Sequence, residues 1–75
     1  MEIVVFTDGG SHVVTAPDGT LQWQIYKGDG KEDVAEVKMF EYRELSIHKF
    51  AYVALFREAY QGEITEAILK YGYDV

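Results

Sequence analysis

Three glycine-bearing breaks, TDGGS (7–11), APDGT (16–20) and KGDGKED (27–33), cut the first half of this chain into short pieces. The pieces between them, EIVVF, HVVTA and TLQWQIY, are rich in β-branched and aromatic residues, which suit a pleated and half-buried surface. Strands separated by Asp-Gly breaks read as hairpins. In the second break Pro17 fits the second position of a type I turn, and Gly19 tolerates the left-handed backbone that closes a three-residue loop. With Asp8-Gly9-Gly10 and Pro17-Asp18-Gly19 as loops, Val5 opposes Val13, Ile3 opposes Thr15, and Val13 in turn opposes Trp23. One face then carries Ile3, Val5, Val13, Leu21, Trp23 and Ile25, while Gln22 and Gln24 face away beside His12.

The predicted strands run over about 2–7, 11–16 and 20–27. Residues 34–42, VAEVKMFEY, alternate as a strand does but also hold good helix formers, with Asp33 placed to cap a helix. Because GDG reads as a third hairpin turn, a fourth strand is expected there. The second half reads as helical. Ser46 and Gly62 are placed to cap a main helix at about 46–61, and EITEAILKY (63–71) forms a shorter one ending at Gly72. Thr65 is an alternative cap for that second helix.

The expected fold is thus an α+β domain spanning 1–75, an antiparallel β-meander of three to four strands followed by two helices packed on one face. At about 100° per residue, Ile47, Ala51, Ala54, Leu55 and Ala59 share one side of the main helix, and Trp23 packs beneath it as a central core residue. Tyr52, Phe56 and Tyr60 then form an aromatic stripe on the other side, facing the second helix, a twin subunit or another protein.

A chain of 75 residues buries only roughly 60% of its unfolded surface. It has no cysteine, hence no disulfide framework and no thiolate metal site. One Trp, six Tyr and four Phe offset the small size, since each aromatic side chain buries about 150–250 Å². Thirteen acids against seven bases give a net charge of −6, which opposes direct nucleic-acid binding and anionic membranes. The N-terminal MEIVVFTDGG has an acid at position 2 and an apolar run too short for a signal peptide or membrane span. A soluble cytoplasmic protein is expected.

Catalytic chemistry finds little support. Ser11 and His12 are adjacent on a strand and point to opposite faces, and Ser46 serves as a cap. His12 and His48 are too far apart in sequence to suggest a zinc site. Placing Gly30 at the sixth position of a calcium loop puts Ile25 and Lys27 where oxygen ligands belong, so GDGKED is a turn. Neither DGG nor GDG opens a helix, which argues against a phosphate-binding loop. A helix-turn-helix reader built from 46–71 is opposed by Glu58, Glu63 and Glu66 against Lys49, Arg57 and Lys70. No catalytic residue, metal or cofactor is expected.

Charge clustering is more informative. Six of the thirteen acids, Asp29, Glu32, Asp33, Glu36, Glu41 and Glu44, fall within residues 29–44, with Lys31, Lys38 and Arg43 as the bases among them. The sequence therefore reads as an acidic, non-catalytic protein-binding module whose partner has a basic surface. Its expected contact residues are Tyr52, Phe56, Tyr60 and Tyr73, with the acids Asp29, Glu32, Asp33 and Glu36. Small inhibitors that occlude nucleic-acid-binding machinery, such as phage-encoded anti-CRISPR proteins, are one class with this composition. A homo-oligomer joined through the aromatic helix stripe is the alternative, so the expected state is monomer or homodimer.

Overall fold

The computed structural model describes residues 1–71. It contains five strands and one helix: β1 (Glu2–Thr7), β2 (Gly10–Thr15), β3 (Gln22–Gly28), β4 (Lys31–Glu44), β5 (Ile47–Leu55) and α1 (Gln61–Tyr71). All five strands form one sheet in the order β2-β1-β5-β4-β3. Every pairing is antiparallel except β1 with β5, which run parallel. The sheet curls into a mixed half-barrel.

The order follows from burial. Ile3, Val4, Val5 and Phe6 are each no more than 1% exposed. A run of four consecutive buried apolar residues suits a strand covered on both faces. Val4 and Phe6 point to one side with Ala51, Val53, Phe40 and Tyr42, where α1 lays down Ile64, Ala67 and Ile68. Ile3 and Val5 point to the other, with Ala54, Ala35, Trp23 and Val37. The two cores lie back to back, and β1 supplies residues to each.

β4 makes the curl. Its first half, Lys31–Glu36, pairs with β3, and its second half, from Val37 to Glu44, pairs with β5. The β3–β4 arm reaches past the end of β5 and folds over the second core, which the small side chains of Ala35 and Ala54 allow. Ile25 of β3 and Phe56 after β5 line one cavity together with Thr7, Asp8 and Gly9 of the β1–β2 turn.

Several sequence expectations are corrected. The protein is mainly β rather than α+β, and no meander followed by two helices forms. The expected helix at 46–61 is strand β5 and the loop after it. β5 alternates Phe50, Tyr52 and Ala54 on one face with Ala51, Val53 and Leu55 on the other, and each face meets a core. Such a strand is apolar on every side, so helical spacing is found in it by coincidence. Ser46 is a hairpin residue rather than a cap, and Gly62 and Thr65 lie inside α1, where the Thr65 hydroxyl donates to the Gln61 carbonyl at 2.9 Å.

The strands at 2–7 and 34–42 were correctly expected, the latter being longer, and the shorter helix is α1. The meander pairing was not. β3 pairs with β4 and leaves β2 at an edge of the sheet. The β1–β2 turn holds two residues rather than three, so Val5 faces His12 and Val4 faces Val13. Ile3, Val5, Trp23 and Ile25 do share a face, but Val13 lies on the other and Leu21 is 75% exposed. Trp23 is half-buried on the face opposite α1 instead of lying beneath a helix.

The β4–β5 turn carries local strain. Leu45 (φ 51°) and Ser46 (φ 67°) are both left-handed, as a two-residue hairpin of the primed type requires, although Asn-Gly is the sequence that fits it. Asp29 (φ 52°) and Gly30 (φ 71°) meet the same requirement at the β3–β4 turn with suitable residues. Ser46→Gly relieves the strain at an exposed position and should raise stability by about 1 kcal/mol. The check is a higher urea midpoint with an unchanged denaturant slope. A lower midpoint would contradict the turn geometry.

Candidate protein-binding face

The concave side of the curled sheet gathers side chains from four elements. Ile3 and Val5 (β1), Ala54 (β5) and Ala35 (β4) form its buried floor. Trp23 of β3, Tyr52 of β5 and Phe56 beyond β5 are packed against that floor and remain half-buried. Period-2 alternation brings them together, because residues opposite one another in a ladder share a face. Trp23 faces Ala35, and Tyr52 faces Ile3 on one side and Met39 on the other. At the mouth, Ile25 and Phe56 line a cavity of about 330 Å³ beside Asp8. Asp33 stands opposite Ile25 on this face, with its carboxylate accepting a 3.1 Å hydrogen bond from the Val34 amide.

The expected contact residues are thereby redistributed. Tyr52 and Phe56 come together on the concave face. Tyr60 does not join them: it is 86% exposed in the loop before α1, beside a separate cleft of about 500 Å³ lined by Leu55, Glu58 and Ala59. Tyr73 lies outside the described residues. Of the acids, Asp33 is on the concave face, Glu32 and Glu36 are exposed on the opposite face of the arm, and Asp29 is exposed at its tip. The sequence reading missed Trp23, Ile25 and Asp8 as parts of this face. The alternation that grouped Trp23 and Ile25 with Ile3 and Val5 was the available signal, and it was spent on a helix that does not exist.

A second polar cluster sits near the β4–β5 tip. The Arg43 guanidinium donates to Nε2 of His48 at 2.7 Å, and Nδ1 of His48 lies 2.6 Å from Glu41. Arginine only donates, so Nε2 accepts and the Nδ1 proton is directed at the carboxylate. All three side chains are exposed. Among the described residues, no group of three His, Cys, Asp or Glu side chains could hold a metal ion. Ser11 is engaged elsewhere: the Tyr71 hydroxyl donates to the Ser11 carbonyl at 2.6 Å and lies 3.2 Å from the Ser11 hydroxyl. No helix among the described residues is long and apolar enough to cross a membrane.

Arg57 lies on the α1 side of the sheet, at the end of β5. It follows Phe56, and its guanidinium donates to the carbonyls of Thr7 at 2.6 Å, Glu58 at 3.1 Å and Gly10 at 3.4 Å. Two further bonds reach the Glu63 carboxylate in the first turn of α1, at 3.1 and 2.5 Å. The charge also sits 5.7 Å from the Phe6 ring centroid. One side chain thus fastens the β1–β2 turn, the end of β5 and the start of the helix. Comparison with protein-family models, with curated proteins and with solved structures returns no match to this chain.

The hydrogen bond and charge of Arg57 hold the Glu63 carboxyl below the ordinary glutamate range, and Glu63 in turn raises Arg57. A carboxylate depressed in the folded state stabilises the fold above its unfolded pKa, and that contribution is lost as pH falls through the folded value. Wild type should therefore melt above Glu63→Gln at neutral pH. The gap should close as pH drops below about 4, the ordinary range of glutamate. Thermal melts of both proteins across pH check this, and a gap independent of pH would contradict it.

Proposed function

We propose that this chain is a non-catalytic protein-binding module that acts by covering a surface of a basic partner protein. The observation that supports the reading most is the concave face, where Trp23, Tyr52 and Phe56 stay half-buried over a fully apolar floor. Aromatic anchors partly open to solvent and seated on a rigid sheet are what binding hot spots are made from. Asp8 and Asp33 border that face, and Asp29, Glu32 and Glu36 add negative charge along the arm. The same charge that repels phosphate backbones speeds approach to a basic protein surface. An inhibitor that masks the basic groove of nucleic-acid-handling machinery, as anti-CRISPR proteins do, fits this combination. An assembly through the helix stripe of Tyr52, Phe56 and Tyr60 does not, because those residues lie on β5 and in the loop after it.

Affinity capture from cells of the source organism, followed by binding kinetics on the retained protein, tests the proposal. Asp29→Lys/Glu32→Lys/Glu36→Lys should slow association by about tenfold and flatten its salt dependence, with little change in melting temperature. Tyr52→Ala should chiefly speed dissociation. Wild-type kinetics for both variants, or capture of nucleic acid in place of protein, would contradict the reading.

A further inference from the structure

Among the described residues the sheet has four open stretches of edge, on β2, β3, β4 and, from Ile47 to Ala51 where β1 gives it no partner, on β5, and they are not equivalent. In β2 the Met1–Ala16 pair exchanges backbone hydrogen bonds at 2.8 and 2.6 Å, so by alternation the even-numbered residues of β2 bond inward and Ser11, Val13 and Thr15 face outward. Tyr71 covers that edge at the Ser11 carbonyl. The outer edge of β3 carries a register break between Tyr26 and Gly28, a common way to spoil an edge. The third stretch is on β4. The Val37 amide bonds the Leu21 carbonyl at 2.9 Å, which sets the odd-numbered residues of β4 toward the β3 side. Beyond that bond β3 has ended, so Met39, Glu41 and Arg43 turn their backbone groups to an edge that no strand covers among the described residues. All three residues are exposed.

This slot is closed at one end by the Val37–Leu21 bond and open at the other beyond the Leu45-Ser46 tip. An antiparallel copy of itself, related by a two-fold axis normal to the sheet, can enter only in registers that keep odd residues opposite odd residues and stop short of Val37. Centring the axis on Glu41 sets Glu41 against its own copy, and centring it on Arg43 does the same for arginine. Centring it on Tyr42 places Glu41 opposite Arg43 twice. That register also places Met39, 55% exposed, opposite Leu45, which is 89% exposed and held at a left-handed φ of 51°. Within one copy that exposed, strained leucine has no packing reason to be there.

We propose that two copies of this chain join through β4, antiparallel about a two-fold axis at Tyr42, with Glu41 facing Arg43 and Met39 facing Leu45 across the interface. Charge complementarity favours a second copy in this register, because like charges directly opposite one another destabilise a strand pair; Glu41 and Arg43, which bracket His48 within each copy, then also meet across the two-fold axis. The interface lies away from Trp23 and Phe56, whereas Met39 is the cross-strand neighbour of Tyr52, so variants at Phe56 rather than at Tyr52 distinguish this pairing from the proposed partner contact.

Sedimentation equilibrium over a concentration series tests the pairing. Wild type should show a concentration-dependent species of twice the 8.6 kDa chain mass. Glu41→Arg alone and Arg43→Glu alone should each weaken association by at least about tenfold, and the double exchange should restore it. The chain has no cysteine, so Met39→Cys/Leu45→Cys gives a second readout under mild oxidation. Those positions are roughly 20 Å apart along one strand, and a covalent dimer is the product expected. A strictly monomeric wild type would overturn the proposal. So would single variants that associate like wild type, a double exchange that fails to restore association, or a cysteine pair that yields no covalent dimer.

Discussion

The structure depends on β1 being covered from both sides. Ile3, Val4, Val5 and Phe6 are each at most 1% exposed, and they divide alternately between two cores. Burying a side chain of this kind contributes about 1.5–3 kcal/mol relative to exposure, a large share for a small protein. Two consequences follow. A strand must lie on each flank of β1, which β2 and the parallel β5 provide. Each face must also have its own cover. α1 covers one, and the curl of the β3–β4 arm covers the other.

Because the arm is a strand pair rather than a helix, its cover is incomplete, and that incompleteness is what leaves Trp23, Tyr52 and Phe56 half-buried. The concave face is thus both a core and a surface. From the other face, Arg57 fastens the β1–β2 turn, whose Thr7, Asp8 and Gly9 line the cavity, to the start of α1. The proposed protein-binding role rests on this half-covered aromatic face.

The turns were the legible part of the sequence. Asp8-Gly9, Pro17-Asp18-Gly19 and Asp29-Gly30 all reverse the chain, with Gly19 (φ 85°) in the left-handed conformation expected of it and Gly30 (φ 71°) left-handed as well. Local turn chemistry does not say which strands pair, and β3 chose β4 over β2. A loop length wrong by one residue shifted the β1–β2 register by one as well, which moved Val13 to the other face. β5 was illegible for a deeper reason. Apolar on both faces, it carries helical and strand spacing at once, and Ala and Leu tilt local propensity toward helix. Tertiary burial decided the matter. The aromatic stripe fell with the helix, and the expected acids divide between the two faces of the arm, Asp33 on the concave side and Glu32 and Glu36 on the other.

The direct test is the conformation of residues 47–55 in solution. Backbone resonance assignment should show strand-type shifts through β5, with cross-strand contacts between Phe40 and Ala51 and between Val4 and Val53. The inward-bonded amides of β1 and β5 should exchange together as the slowest in the protein. Helical shifts across 47–60 with contacts three residues apart would contradict the account. They would remove the strand on which both cores and the concave face are built.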